Sequence, residues 1–233
     1  MVKRLFDIAV AAILLLLSAP LLAIVALGIL LSSPGPLVYR ARRAGKDGVP
    51  FAMLKLRTMH VGTAGASAIT APGDVRVFAL GGLIRNLKID ELPQFWNILT
   101  GDLSLVGPRA EDPAIVAQHY SDWMKETLRV APGVTSPGAI YNYLMADELL
   151  DPADPEGSYV GRMLTPKLAL ERAYIDRAGF FSDIHYVVLT AWAIVGQALG
   201  RPATLPAADI NAARCWAPDG PYPPDSVESN DRT

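Results

Sequence analysis

The chain begins with a long apolar run. Residues 8–31 are 24 consecutive positions without a charged side chain. An α-helix rises ~1.5 Å per residue, so this run would extend ~36 Å and could cross a bilayer with some tilt. A cleaved signal peptide is disfavoured, because the run is too long and ends in Ser32-Ser33-Pro34-Gly35-Pro36 without a clear cleavage site. The hydrophobic pattern therefore predicts a membrane helix at the N-terminus.

Two features favour a helix that enters the membrane and returns to the same face. Pro20 lies near the middle of the run, where it removes a backbone hydrogen bond and favours a bend. Basic residues flank both ends, and the positive-inside tendency would keep both on the cytoplasmic side. These residues are Lys3, Arg4, Arg40, Arg42, Arg43 and Lys46. An ordinary single span with a tolerated proline explains the run equally well and stays open.

The next segment has the pattern of a β-hairpin. Residues 37–40 and 51–56 are short apolar-polar runs on either side of the turn Gly45-Lys46-Asp47-Gly48. Glycine at both ends of the turn permits positive φ, which favours a hairpin. The segment is strongly basic, and basic residues beside an anchor attract anionic headgroups or phosphate-bearing substrates.

Helical spacing of apolar residues dominates the rest of the chain. It predicts helices over 75–88, 91–99, within 113–130 and over 165–177, and polar-apolar alternation predicts a short strand over 102–106. Residues 183–199 have a wide apolar stripe, typical of a helix in the membrane interface or the core. Residues 136–161 have the composition of a loop, and the Pro-, Asp- and Ser-rich segment 201–233 that of a disordered tail.

The expected fold is α+β and mostly helical. A re-entrant N-terminal membrane helix precedes a small cytosolic domain with a short β-hairpin and interfacial amphipathic helices. We expect a membrane anchor over 1–36 as a re-entrant helix hairpin, a catalytic domain over 37–200 and a disordered tail over 201–233.

Composition and charge narrow the class of protein. Hydrophobic residues make up 51% of the 233 residues, which is high for a soluble protein and agrees with a membrane-embedded piece on a globular body. The formal net charge of -2 gives no support for nucleic acid as a partner. Cys215 is the single cysteine, so an intrachain disulfide framework is excluded, as suits a protein facing the cytosol.

Candidate chemistry centres on Asp90 and Glu91, two adjacent carboxylates at the predicted start of the helix over 91–99. The pattern alone favours helix capping by Asp90, with Glu91 in the first turn. Helix N–H groups, with Arg85 nearby in sequence, would keep Asp90 ionised. An ionised carboxylate is also what a nucleophile or a Mg²⁺ ligand requires.

A series of ordered motifs resembles the bacterial sugar transferase family, the monotopic polyprenol-phosphate phosphoglycosyl transferases. The likeness covers roughly residues 1–200. Its motifs are Lys55-Leu56-Arg57-Thr58-Met59, Arg85, Asp90-Glu91-Leu92-Pro93-Gln94, Asn97 and Gly101-Asp102-Leu103-Ser104-Leu105-Val106-Gly107-Pro108-Arg109, behind the N-terminal apolar segment.

The resemblance implies transfer of a sugar-1-phosphate from a UDP-sugar to polyprenyl (undecaprenyl) phosphate. Asp90 would attack the β-phosphate, form a phosphosugar-enzyme intermediate and release UMP. Glu91 would bind Mg²⁺ with Asp90 or assist proton transfer. Four basic residues would bind substrate phosphate: Lys55, Arg57, Arg85 and Arg109.

The resemblance also implies a location and partners. The enzyme would sit in the bacterial cytoplasmic membrane with its catalytic domain facing the cytoplasm, where it would initiate glycan assembly such as that of exopolysaccharide. The expected partners are the UDP-sugar, the polyprenyl phosphate, membrane lipid and, as an arrangement left open, a second copy of the chain in a homodimer. Nucleic acid is not expected.

The chain departs from the family pattern after Arg109. Ala110 replaces a usual proline, and Ala131-Pro132-Gly133-Val134-Thr135-Ser136 and then Pro137-Gly138-Ala139-Ile140 replace segments expected to shape the donor pocket, so the donor sugar is not defined by the motifs. Two other readings stay open. One is a non-catalytic membrane-anchored docking protein that uses the basic hairpin and the helix carrying Trp192. The other is a membrane UDP-sugar hydrolase.

Overall fold

Helices dominate the computed structural model, which describes residues 2–63, 69–71, 73–201 and 203–223. In chain order the elements are α1 (Val2–Ser32), β1 (Val38–Ala44), β2 (Pro50–Leu56), α2 (Ala79–Asn86), α3 (Gln94–Thr100), β3 (Ser104–Val106), α4 (Pro113–His119), α5 (Asp122–Lys125), β4 (Gly133–Thr135), α6 (Pro137–Leu149), α7 (Pro155–Ser158), α8 (Thr165–Arg177), α9 (Phe180–Ala198) and α10 (Ala207–Ala213). Short 3-10 turns cover Lys46–Gly48, Ile89–Glu91 and Glu126–Arg129, and a π-helical turn covers Tyr159–Leu164. The mostly helical fold with an apolar N-terminal helix is confirmed.

The predicted β-hairpin is present. Strands β1 and β2 pair antiparallel with Val38 opposite Leu56. The turn between them contains Asp47 at φ 55° and Gly48 at φ 74°, so the chain reverses through left-handed backbone conformations that glycine favours. Elsewhere β3 and β4 form a short parallel pair. It places the backbone after β3 against α6 and α8.

Helix α1 has the character of a membrane helix. By length and composition it could cross a membrane, and only 6% of its most apolar 18-residue window is buried. Large exposed apolar side chains such as Leu16, Leu17 and Ile24 lie along its middle. Pro20 lies inside this single helix, so a separate loop between two helices, as in the expected helix hairpin, is not formed. An exposed apolar surface of this extent marks a site of contact with a membrane or with another protein.

Both ends of α1 contact the globular body. Near its start, Lys3 forms an ion pair with Asp183 of α9, and Ser104 Oγ donates a hydrogen bond of 2.7 Å to Asp7 Oδ2. Near its end, Ile29 is fully buried in a small apolar cluster. The other buried members of that cluster are Leu56, Phe78 and Ile84. The middle of α1 is therefore its most exposed part.

The main core lies between α3, β3, α6, α8 and α9. Its fully buried large side chains include Ile98, Leu103, Ile140, Leu168 and Leu170. Beside this core, the Arg109 backbone N–H donates a hydrogen bond to Glu171 of α8. The core thereby fixes the backbone from which Arg109 projects.

Two sequence predictions are wrong in the C-terminal half. Residues 137–149 form α6 instead of a loop, because Ser136 Oγ caps Ala139 N at 2.9 Å and Pro137 suits the first helical turn. Residues 203–223 pack on α8 instead of being disordered. Leu205 and Ile210 are almost fully buried, and apolar burial outweighs the polar composition. The part of the predicted tail over 224–233 lies outside the described residues, and the division at 36 and 200 stays a prediction.

The adjacent glycines of α2 give a matched test of its packing. A Cβ on Gly81 would lie 2.2 Å from the Thr58 carbonyl oxygen, whereas a Cβ on Gly82 would meet nothing within 4 Å. We expect Gly81→Ala to destabilise the protein by about 1–3 kcal/mol through overpacking. Gly82→Ala should stabilise it by up to ~1 kcal/mol through its better helix propensity. Thermal unfolding of both variants checks this, and equal effects would contradict the close contact of α2 with Thr58.

Candidate active site

Asp90 and Glu91 lie in the 3-10 turn between α2 and α3, and not at the start of a long helix. Helix α3 begins at Gln94, and its N-cap residue Pro93 provides no side-chain hydrogen bond. The prediction that Asp90 caps this helix is therefore wrong. Lys88, immediately before the turn, has φ 56° and ψ 19°. This left-handed conformation separates α2 from the turn that carries Asp90.

Glu91 is the centre of a cluster of basic side chains. Its carboxylate accepts hydrogen bonds from Arg109 Nη2 at 2.7 Å and Nη1 at 3.3 Å. Lys55 Nζ donates to Glu91 Oε1 at 3.1 Å, and Lys88 Nζ lies 4.0 Å from the same oxygen. Although burial opposes ionisation, Arg109 and the two lysines hold the pKa of Glu91 well below its usual range. Glu91 is therefore a fixed negative charge among three positive ones.

Asp90 has a different environment from the adjacent Glu91. It is 5% exposed, and its Oδ1 atom is buried without a hydrogen-bond partner in the described part of the chain. Burial and the neighbouring Glu91 charge raise the pKa of Asp90, while Lys55, Lys88 and Arg85 partly offset them. The expectation of a helix cap is wrong, while the ionised state of Asp90 stays a prediction that must overcome its raised pKa. Asp90 instead has a buried oxygen that no described residue uses.

Asn97 sets the position of the hairpin against this turn. Its Oδ1 accepts the Leu54 N–H at 2.9 Å, and its Nδ2 donates to the Ala52 carbonyl at 2.9 Å. The Asn97 side-chain amide thus forms hydrogen bonds with the backbone of β2 on both sides of Met53. Because Lys55 follows directly, this contact places the Lys55 ammonium beside Glu91. Asn97, a member of the family motifs, is accordingly a positioning residue in this structure.

Two of the four predicted phosphate ligands lie outside the Glu91 cluster. The Arg85 guanidinium donates to Thr58 Oγ1 at 3.2 Å, and its charge lowers the pKa of Asp90. Arg57 is buried and bonds the end of the anchor: Nη1 donates to Ser33 Oγ at 2.8 Å and Nε donates to the Pro36 carbonyl at 2.6 Å. Lys55 and Arg109 are brought together at Glu91, whereas Arg57 joins β2 to the segment after α1.

Sequence reasoning missed a buried carboxyl group that supports Arg109. Glu171 of α8 accepts the Arg109 backbone N–H at 3.0 Å and the Ser136 hydroxyl at 2.6 Å on its Oε1 atom. A Cβ on Gly138 would lie 2.5 Å from that oxygen, so glycine is needed there. Helical spacing placed Glu171 on α8 but could not show that α8 packs behind Arg109. Lys88 was missed as a site residue as well, although it adjoins the motif.

The buried Glu171 carboxyl should make stability depend on pH. Burial raises its pKa to about 7, against hydrogen bonds and positive charges that lower it. The folded protein then binds a proton more tightly than the unfolded chain, so stability should fall by about 3 kcal/mol as pH rises from 4.5 to 7. Glu171→Gln should flatten this slope and raise the melting temperature at pH 8. Thermal unfolding at several pH values checks it, with the exposed Glu148→Gln as control; an unchanged slope in Glu171→Gln would contradict the assignment.

The sequence matches a known family of proteins. The bacterial sugar transferase family model matches residues 1–197, and the chain belongs to this family. This confirms the resemblance and the predicted class of enzyme, a transferase.

Particular relatives narrow the comparison further. A UDP-glucose:undecaprenyl-phosphate glucose-1-phosphate transferase of Caulobacter vibrioides is 36% identical over 192 residues, which cover 81% of this chain and 67% of the relative. A putative undecaprenyl-phosphate N-acetylgalactosaminyl 1-phosphate transferase of Bacillus subtilis is 39% identical over 57% of this chain and 74% of the relative. A UDP-N-acetylgalactosamine-undecaprenyl-phosphate N-acetylgalactosaminephosphotransferase of Aeromonas hydrophila is 44% identical over 63% of this chain, but only 35% of the relative is covered.

Proposed function

We propose that this protein transfers a sugar-1-phosphate from a UDP-sugar to undecaprenyl phosphate, releases UMP and so initiates assembly of a glycan. The names of its relatives, which use glucose or N-acetylgalactosamine donors, support the reaction class. The observation that carries the proposal is the buried Asp90 oxygen without a hydrogen-bond partner among the described residues. It lies next to a carboxylate that three cations neutralise.

The proposed reaction has two displacements at one phosphorus atom. An Asp90 carboxylate oxygen forms a bond to the β-phosphorus, the bond between that phosphorus and the bridging oxygen breaks, and UMP leaves with the electron pair. A phosphate oxygen of undecaprenyl phosphate then attacks the same phosphorus and frees the Asp90 carboxylate. Neither step needs a proton from the protein when both nucleophiles are ionised.

The basic residues have two different tasks in this proposal. Lys55, Arg85 and Arg109 stabilise negative charge on the reacting phosphates. Arg57 has a positioning task, because its guanidinium is bonded to the end of the anchor. Glu91 is a poor proton donor because its pKa is held well below the usual range. Its proposed role is to hold Arg109 and Lys55 in place.

Of the two expected Mg²⁺ ligands, Asp90 suits the metal and Glu91 does not. Among the described residues no group of three or more His, Cys, Asp or Glu side chains is arranged to hold a metal, but Mg²⁺ is often bound by one carboxylate together with substrate phosphates and water. The free Asp90 oxygen suits such a site. Glu91 does not, because Lys55, Lys88 and Arg109 already surround its carboxylate. We propose that Asp90 would be the protein ligand of Mg²⁺, which would supply positive charge to the diphosphate.

The membrane arrangement follows from the contacts of α1. A straight helix of 31 residues would be ~46 Å long, and a full span would carry its two ends to opposite faces of the bilayer. The contacts of Lys3 with Asp183 and of Ser33 with Arg57 attach both ends to one body, which supports a re-entrant helix bent at Pro20. We propose that the body faces the cytoplasm at the bacterial cytoplasmic membrane and that α9 lies in the interface, where Phe181, Val188 and Trp192 are exposed.

Single-cysteine labelling tests this topology. Cys215 is free and exposed, so the background carries Cys215→Ser. Val2→Cys and Lys46→Cys report the two flanks of α1, since both positions are exposed. A membrane-impermeant maleimide should label both in inverted vesicles and neither in intact cells. Labelling from opposite sides would show a single span.

The reaction is tested by UMP release from a panel of UDP-sugars with Mg²⁺, with and without undecaprenyl phosphate. We expect one donor to give turnover only with the lipid, and at most one UMP per enzyme without it. Continuous release without lipid would favour the UDP-sugar hydrolase. No UMP from any donor would favour the docking protein. The homodimer is a separate prediction that sedimentation in detergent would check.

A further inference from the structure

Lys88 has a backbone conformation that its residue type does not favour. It lies between α2 and the turn that carries Asp90, with φ 56° and ψ 19° in the left-handed region. Its N–H donates to the Arg85 carbonyl at 3.0 Å, and its own carbonyl accepts the Glu91 N–H at 3.2 Å. The backbone bonds would serve glycine equally well, and glycine adopts this region without steric cost. Strained backbone of this kind is often found at functional sites, which directs attention to the side chain.

The Lys88 ammonium is the least engaged cation of the Glu91 cluster. Lys55 and Arg109 donate hydrogen bonds to Glu91, but Lys88 Nζ lies 4.0 Å from it, which is too far for a hydrogen bond. Within the described residues its N–H groups have no hydrogen-bond acceptor, and 32% of the side chain is exposed. The Lys88 ammonium, whose charge also lowers the pKa of Asp90, is therefore available to donate to a further acceptor.

Tyr143 of α6 holds this ammonium in place. Lys88 Nζ lies 4.8 Å from the centre of the Tyr143 ring, within the range of a cation–π contact. The Tyr143 hydroxyl donates to the Asn86 carbonyl at 3.3 Å, so the ring is attached to the end of α2. A cation held by a ring face keeps its N–H groups available, since the ring accepts none of them in a conventional hydrogen bond.

We infer that Lys88 is a substrate-binding residue whose ammonium contacts a phosphate group of a reacting substrate, and that Tyr143 positions it. Phosphate oxygens accept strong charge-assisted hydrogen bonds from lysine. The phosphate belongs to the UDP-sugar or to undecaprenyl phosphate, which share this chemistry. The inference deepens the proposed function and rests on it for the identity of the substrates.

The substitution Lys88→Gly separates binding from folding. Glycine removes the ammonium but also relieves the strained backbone, so the melting temperature should fall less in Lys88→Gly than in Lys88→Met. If Lys88 only stabilised the fold or the Glu91 charge, both variants would change the melting temperature but neither would weaken substrate binding. Lys88→Met keeps the backbone strain and loses the charge, and Lys88→Arg keeps the charge. The matched pair Tyr143→Phe and Tyr143→Leu keeps and removes the ring face.

Two measurements on the full-length protein in nanodiscs identify the phosphate. Calorimetric titration with UDP and Mg²⁺ measures donor binding without turnover, and KM for undecaprenyl phosphate measures the acceptor. Loss of one charge-assisted hydrogen bond should weaken one of them roughly tenfold or more in Lys88→Gly and Lys88→Met. Lys88→Arg should restore part of the loss, and Tyr143→Leu should weaken the same quantity more than Tyr143→Phe does.

Each outcome has a distinct meaning. Weaker UDP binding assigns the donor diphosphate, and a higher acceptor KM assigns the lipid phosphate; both support the inference. Unchanged values for both in Lys88→Gly and Lys88→Met would overturn it, whatever the melting temperature. UDP binding that depends on Lys88 in a protein without transferase turnover would contradict the proposed reaction but leave Lys88 as a phosphate ligand.

Discussion

Asp90→Asn is expected to abolish sugar-phosphate transfer and at the same time to raise the melting temperature. Asparagine cannot form the phosphoryl bond, so turnover should fall roughly 10⁴-fold or more, as for other removed nucleophiles. Burial and the Glu91 charge raise the pKa of Asp90, so its ionised form destabilises the folded protein at neutral pH. A neutral side chain of the same shape removes that penalty. UMP release and thermal unfolding, measured on the same preparation, check both parts.

Activity and stability should change in opposite directions as pH rises. The nucleophile must be ionised, so activity should increase as pH rises through the raised pKa of Asp90. The folded protein binds this proton more tightly than the unfolded chain, so stability should decrease over the window from the usual 3.8 to that raised value. The Asp90→Asn variant should lack the part of the pH dependence of stability that comes from Asp90. Asp122→Asn is the control because Asp122 is fully exposed. Turnover in Asp90→Asn would exclude Asp90 as the nucleophile, and a lower melting temperature would contradict its raised pKa.

Local sequence signals predicted the elements that depend on local chemistry. The hairpin followed from Gly45-Lys46-Asp47-Gly48, and the structure has it. The apolar run of α1 followed from its length. The missed helix α6 also had a local signal, Ser136 followed by Pro137, which are a helix cap and a first-turn proline. Its acidic residues and Gly138 concealed that signal.

The features of the site that the sequence did not show depend on contacts between distant segments. Asp90 was expected to cap a helix. The left-handed backbone of Lys88 and the later start of α3 instead leave Asp90 in a 3-10 turn, with no helix N-terminus to cap. Its raised pKa depends on burial that no local pattern reveals. Glu171 lies 62 positions from Arg109, and only the packing of α8 behind β3 brings them together. Family motifs pointed to the two carboxylates, whose catalytic role stays a prediction, but not to their opposite pKa shifts.

Glu91→Gln is expected to destabilise the protein strongly and also to prevent transfer. Glu91 is the carboxylate that Arg109, Lys55 and Lys88 share, and its side chain is 11% exposed. Removing one partner of a buried ion pair leaves uncompensated charge and costs about 3–5 kcal/mol. For a chain of this size that corresponds to a fall in melting temperature of about 10 °C. Thermal unfolding and UMP release measure the two effects.

A double-mutant cycle with Arg109→Met separates the two roles of Glu91. If Glu91 mainly neutralises and orders the cations, each single substitution destabilises the protein, and Glu91→Gln with Arg109→Met is less destabilised than the sum of the two by about 1 kcal/mol or more. Transfer should not recover, because phosphate charge is then left without Arg109. If Glu91 were instead a proton donor or a metal ligand, Arg109→Met would leave its role intact and the two stability effects would add. If the two losses of stability add, and Arg109→Met still catalyses transfer, then Glu91 acts in the chemical step and Arg109 does not.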